Sequence, residues 1–341
     1  MLFFELLEVT LGARDSLSRV PSAAEWGGLL AESQRQAVVG LFLDGIECLP
    51  NEQRPSQALL LQWIGLVQIA ENAYTLHIKR AKELTAQFYL QGARSCVLKG
   101  IGFAQLYPHP SHRQCGDIDL WVNKSRKEMM PYLRRGYKIG MNVWHHVEAS
   151  IYDEVETEIH FHPCWMYNPF HNRKLQRWFD EQAALQMEVD KNLGFAYPTV
   201  MFNAVYSLVH SYHHLIEEGL GLRHIIDYYY ILRAMPAEEK ETVTGLLKRF
   251  GLMRLACAMM WVLQNVCGMT AEYLICVPNE KEGKFLLSEI MAGGNFGKSR
   301  TDGLNRNSVR RYRMMVQHYP SEVLWMIPWK VWHKGWRILN N

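Results

Sequence analysis

Between Gln57 and Leu90 the apolar positions Leu60, Leu61, Ile64, Val67, Leu76, Ile78, Leu84 and Phe88 recur at helical spacing, with no intervening proline. That period predicts a long helix with a buried stripe, and Gly92 supplies its stop. Residues 1–92 as a whole read as helical. The period then changes. Residues 95–98 (Ser-Cys-Val-Leu) read as a buried strand ending at Lys99-Gly100, 101–107 have room for a short helix, and Pro108-His109-Pro110-Ser111-His112 is turn chemistry. A strand follows at 115–122, then a basic helical segment at 125–135 and strands near 137–141 and 144–152. Residues 155–161 alternate cleanly, with Glu156, Glu158 and His160 on one face and Val155, Thr157, Ile159 and Phe161 on the other. After Pro198 the helical period returns over 200–216 and 222–232, with further helices expected within 240–266 and 282–291. The pattern predicts an α+β chain. A small mixed sheet (93–192) lies between an N-terminal helical region (1–92) and a C-terminal helical one (193–341).

Composition narrows the class. A hydrophobic content of 48% and a charged content of 21% over 341 residues describe an ordinary folded protein large enough for two or three compact units. A net charge of +3 provides no field for general nucleic-acid binding. Seven scattered cysteines without a C-x-x-C pair read as reduced thiols. The start, Met1-Leu2-Phe3-Phe4-Glu5, lacks a basic segment and is interrupted by Glu5 and Glu8. No leader is expected there, and a cytoplasmic location is. No apolar run reaches the roughly 18 residues of a bilayer span.

The chemistry concentrates in Cys115-Gly116-Asp117-Ile118-Asp119-Leu120-Trp121-Val122. On a strand, Asp117 and Asp119 share one face while Ile118 and Leu120 enter a core. Two bare carboxylates at 4 Å and an effective dielectric near 20 repel by about 4 kcal/mol. Mg²⁺ or Mn²⁺ is the natural neutraliser, against the alternative of a solvated strand end. Lys99-Gly100 before this pair, Arg113 between and Glu158 after it together supply what phosphoryl transfer needs: carboxylates for metal, cationic donors for phosphates, and a base.

On these motifs the chain resembles the nucleotidyltransferase superfamily, the group of polymerase beta, aminoglycoside nucleotidyltransferases and minimal antitoxin-type enzymes. It is most similar to an uncharacterised bacterial branch with a Leu-Lys-Gly motif (Leu98-Lys99-Gly100), an Asp-Ile-Asp-Leu motif (Asp117 to Leu120) and a Glu-Ile-His motif (Glu158-Ile159-His160). That branch also carries a helical His-x-x-x-His followed by Arg and Asp, here His210, His214, Arg223 and Asp227. The resemblance implies a nucleotidyltransferase-type sheet in which Asp117, Asp119 and Glu158 hold the metal. Those three and His160 would form the catalytic set, with His160 either orienting substrate or lying as a hydrogen-bonded histidine beneath the site. Lys99, Gly100, Arg113, Gly116, His210, His214 and Arg223 would contact the nucleotide or its phosphates. Lys99 stands where better-known members have a glycine, so it would supply a point charge to the β- or γ-phosphate or remain a surface lysine. Arg113 would stabilise developing charge or be solvated, Glu156 would be solvated, and Arg223 and Asp227 would form a helix ion pair.

The implied reaction moves NMP from an NTP, with ATP as the expected donor, to a hydroxyl or phosphate of an unidentified small-molecule or protein acceptor. The alternatives are a non-catalytic nucleotide sensor and a phosphotransferase using the same cleft. Three further patterns keep two readings each. His210, His213 and His214 share a helix face and would bind zinc or pack on the sheet, one histidine reaching substrate. Ala292 to Ser299 fits a permissive phosphate-binding loop but follows a helical run and precedes Thr301-Asp302-Gly303, favouring a helix-ending loop. Trp325, Trp329, Trp332 and Trp336, with Lys330, Lys334 and Arg337, would pack on the protein or touch a membrane surface weakly.

Overall fold

The computed structural model describes residues 1–299 and 308–340. The N-terminal region is helical as expected: Leu2–Thr10, Ala23–Arg35, Val39–Cys48 and the 34-residue Gln57–Leu90 helix. Ser22 and Glu25 close a reciprocal capping box at the second of these. The long helix runs about 51 Å at 1.5 Å per residue and serves two cores. Trp63 and Val67 pack with the preceding helices, whereas Ala81, Leu84 and Phe88 pack under the sheet. Leu61 and Ile64, expected in the buried stripe, are 61% and 43% exposed. The stripe drifts around the helix because its two halves face different neighbours.

The sheet consists of β1 (Ser95–Leu98), β2 (Ile118–Val122), β3 (Lys138–Asn142), β4 (His146–Ser150) and β5 (Thr157–His160), in the order β1-β2-β5-β4-β3. β2 and β5 are parallel and the other pairs antiparallel, which makes the sheet mixed. The expected strands at 144–152 and 155–161 are shortened to five and four residues.

Both faces of the sheet are covered. Val97, Ile118, Leu120, Val147 and Ile159 face the long helix and the Arg126–Gly136 helix. Alternation sends Cys96, Leu98 and Trp121 to the opposite face, into the larger core. There Trp121 stacks on Phe202 at 5.7 Å, docking the Val200–Glu217 helix against β2. This second face also carries Asp119, Glu158 and His160, so the acids look toward the C-terminal helices.

Those helices are Pro169–Gln186, Val200–Glu217, Leu222–Ala234, Glu239–Arg249, Met253–Val266, Glu280–Gly293, Val309–His318 and Pro320–Asn340. The helical pattern over 240–266 is broken in two at Gly251, whose φ of +72° suits glycine. In the last helix Trp329 packs on Trp165 at 5.3 Å, while Trp332 is 50% exposed. Among the described residues, no helix is long and apolar enough to cross a membrane.

Candidate active site

Asp119 is the centre of the site. Register places it between Leu98 of β1 and Glu158 of β5, so the parallel pairing of β2 and β5 sets two carboxylates side by side. Its Oδ1 accepts from Lys99 Nζ at 2.7 Å and from His160 Nε2 at 2.9 Å. His160 Nε2 also lies 3.1 Å from Glu158 Oε2. Burial opposes the charged form of His160, but hydrogen bonds to Asp119 and Glu158 outweigh it and carry its pKa up to about 9. Burial likewise opposes the Lys99 ammonium, yet Asp119, Asp117 and Glu158 hold it charged. The Glu158 carboxyl, disfavoured as an anion by burial, is kept below its ordinary pKa by the His160 hydrogen bond.

Asp119 Oδ2 has no hydrogen-bond partner although it is buried. Leaving such an oxygen unsatisfied costs about 1–3 kcal/mol, more when charged. One oxygen from each of Asp117, Asp119 and Glu158 lies within 4.8 Å of the others. This all-oxygen donor set fits a hard divalent cation.

Lys99 owes its reach to an unusual backbone. Its φ of 48° and ψ of −145° fall in a region ordinarily reserved for glycine. The chain therefore keeps a glycine-like turn between β1 and the short Gly100–Ala104 helix while placing an ammonium over the acids. The surface-lysine alternative is thereby removed.

Asp117 sits at the end of a loop fixed from three sides. Arg113 pairs bidentately with Asp227, Nε to Oδ1 at 2.7 Å and Nη2 to Oδ2 at 2.8 Å. Arg223 Nη1 donates to the Gln114 carbonyl at 2.8 Å, and His77 Nε2 lies 2.9 Å from the Gly116 carbonyl. Two expectations change here. Arg113 is buried rather than solvated, and the Arg223–Asp227 helix pair is replaced because both Asp227 oxygens engage Arg113 and one also accepts from Tyr107. Glu156 is exposed, as expected.

A cleft of about 450 Å³ opens between this sheet face and the C-terminal helices. Lys99, Gly100, Arg113, Gly116, Asp117, Glu158, His160, His210, His214 and Arg223 all line it, with Asp119 buried just beneath. The far wall holds His210 and His214, with Nε2 atoms 3.2 Å apart, and His224. His213 instead turns to the Trp165 carbonyl, so the 210/213/214 grouping is not formed.

Sequence reasoning missed His77, His145, His146, His224 and Phe296. His146 pairs with His160 in the β4–β5 register, and its Nε2 lies 3.6 Å from Glu158 Oε1. Continuing the alternation of β5 onto a neighbouring strand would have flagged it. Phe296 and Lys298, from the glycine-rich run, reach the cleft mouth, although that run forms a 3₁₀ turn after the Glu280–Gly293 helix rather than a strand-to-helix phosphate loop. Thr301-Asp302-Gly303 lie outside the described residues.

The mixed sheet thus brings three acids, a lysine and a histidine together at the edge of a cleft lined by both signs of charge. A family model described as uncharacterised nucleotidyltransferase matches residues 22–268, and the chain belongs to that family. It is a member of a transferase family, with a nucleotide as the substrate the family implies. No curated protein matches the chain.

Proposed function

We propose that the chain transfers NMP from an NTP, ATP being the expected donor, to a hydroxyl or phosphate oxygen of an acceptor in the cytosol. A bond forms between the acceptor oxygen and the α-phosphorus, the bond from that phosphorus to the bridging oxygen breaks, and pyrophosphate leaves. The observation that carries this reading is the buried, unpartnered Oδ2 of Asp119 within 4.8 Å reach of Asp117 and Glu158. Asp117, Asp119 and Glu158 would hold Mg²⁺ or Mn²⁺, which supplies charge neutralisation at the phosphates when bound. Glu158 accepts the acceptor's proton, and His160 holds Glu158 and Asp119 in place through Nε2. Lys99, Arg223 and Lys298 place positive charge along the cleft for the triphosphate and the departing pyrophosphate. Arg113, neutralised by Asp227, positions the Asp117 loop rather than meeting new charge.

Labelled ATP separates the alternatives. Pyrophosphate release with AMP transfer supports this reading, ADP formation would replace it with phosphotransfer, and binding without turnover would indicate a sensor. Asp119→Asn is expected to lower turnover by at least about 10²–10³-fold, the range for losing one transition-state electrostatic contact, with the fold retained by circular dichroism. Turnover at the wild-type level would remove Asp119 from the mechanism.

A further inference from the structure

The far wall of the cleft has a donor set unlike that of the acids. His210 and His214 stand one turn apart on the Val200–Glu217 helix, and His224 enters from the first turn of the Leu222–Ala234 helix. A ring nitrogen of each lies within 4.8 Å of the other two. The Nε2 atoms of His210 and His214 are 3.2 Å apart. That matches the roughly 3.3 Å edge of a tetrahedron with metal–nitrogen bonds of about 2.0–2.1 Å.

Tautomers agree with the geometry. Glu218 Oε1 accepts from His214 Nδ1 at 2.8 Å, which puts the proton on Nδ1 and turns the Nε2 lone pair toward His210. A carboxylate holding the remote N–H is the usual support of a metal-bound histidine. His224 Nδ1 is buried without a hydrogen-bond partner. Arg223, the nearest cation in sequence, spends Nη1 on the Gln114 carbonyl.

We propose that His210, His214 and His224 form a second metal site, for a late first-row transition ion with zinc foremost, separate from the hard-ion site at the three acids. Imidazole nitrogens select such ions over magnesium. Three protein ligands leave a fourth position, and all three histidines line the cleft, so that position faces it. Water or an oxygen of an anionic substrate would occupy it.

The test uses the metal-stripped full chain titrated with Co²⁺. One equivalent is expected to develop the visible bands of tetrahedral cobalt, to be displaced by Zn²⁺, and to resist millimolar Mg²⁺. Glu218→Gln is expected to weaken binding about 10–100-fold, and His214→Ala and His224→Ala to weaken it further, with melting curves checking the fold. Glu158→Gln should leave the bands unchanged. Absence of tetrahedral bands in the wild-type chain overturns the proposal whatever the variants do. So does cobalt binding that survives both histidine changes or that is lost in Glu158→Gln. The readout needs no nucleotide turnover, so its failure and failure of the transfer reaction are distinguishable.

Discussion

Replacing Asp227 with alanine tests how the Asp117 loop is anchored. The Arg113 and Asp227 side chains are 5% and 3% exposed, and both carboxylate oxygens are engaged by the guanidinium. Tyr107 donates a third hydrogen bond to Oδ1 at 2.7 Å. Although burial opposes the guanidinium's charge, Asp227 raises the Arg113 pKa above its already high ordinary value, so the arginine cannot escape by losing its proton. Asp227→Ala therefore strands a buried cation, which typically costs about 3–5 kcal/mol. Little solvent screening reduces that figure at this burial.

An unfolding entropy of about 2.1 cal/mol/K per residue, taken over the chain, converts this loss to a fall in melting temperature of roughly 4–7 °C. Scanning calorimetry together with urea titration would measure it. The double variant Arg113→Met/Asp227→Leu removes both charges and is expected to regain most of the loss, since an apolar pair of similar volume is often neutral or better. A single-variant loss below about 1 kcal/mol, the range of exposed pairs, would refute the claim that this pair is desolvated. A double variant as unstable as the single one would refute the charge argument.

Gly40→Ala would put a Cβ 2.3 Å from the backbone oxygen of His112, so a loss of about 1–3 kcal/mol from overpacking is expected in urea melts. Gly65→Ala, on the long helix with nothing within 4 Å, should instead gain up to about 1 kcal/mol. His112 has its pKa raised, chiefly by its hydrogen bond to Asp44. Its contribution is complete below the unfolded value of 6.5 and is lost as pH rises through the higher folded one. The melting-temperature advantage of wild type over His112→Gln should accordingly shrink as pH rises above the unfolded value, and an advantage that grows would reverse the sign. Lys99→Gly and Lys99→Ala should both lose turnover, but the glycine variant should be more stable by about 1–3 kcal/mol because it relieves the backbone strain. Equal melting curves would show that the turn at 99 is unstrained.

Signals with a local cause were readable in the chain. The period-2 alternation of 155–161 placed Glu158 and His160 on one face because β5 meets the core with its other face. The Pro169–Gln186 helix carried a readable start as well: Asn168 caps it by accepting from the Phe170 and His171 amides, with Pro169 in the first turn. That helix could have been found. What escaped depends on distant competition. Arg223 and Asp227 sit four apart, the right spacing for an ion pair, yet Arg113 offers Asp227 a buried bidentate fork that a single i,i+4 contact cannot match. Nothing local announces a partner 114 residues away. His224 joins His210 and His214 for the same reason, through the crossing of two helices.

Lys99 shows where the two kinds of information meet. Its departure from the glycine of better-known nucleotidyltransferases looks like a defect in the sequence. The backbone at 99 nevertheless retains a glycine-type conformation, and its Nζ lies 2.7 Å from Asp119. The turn thus survives the substitution, at the expense of strain, while its chemistry changes. In the proposed mechanism Lys99 has to leave the Asp119 carboxylate as a cation takes its place. Nucleotide and metal are therefore expected to bind this cleft cooperatively, because a triphosphate gives Lys99 a new partner just as the cation takes its old one.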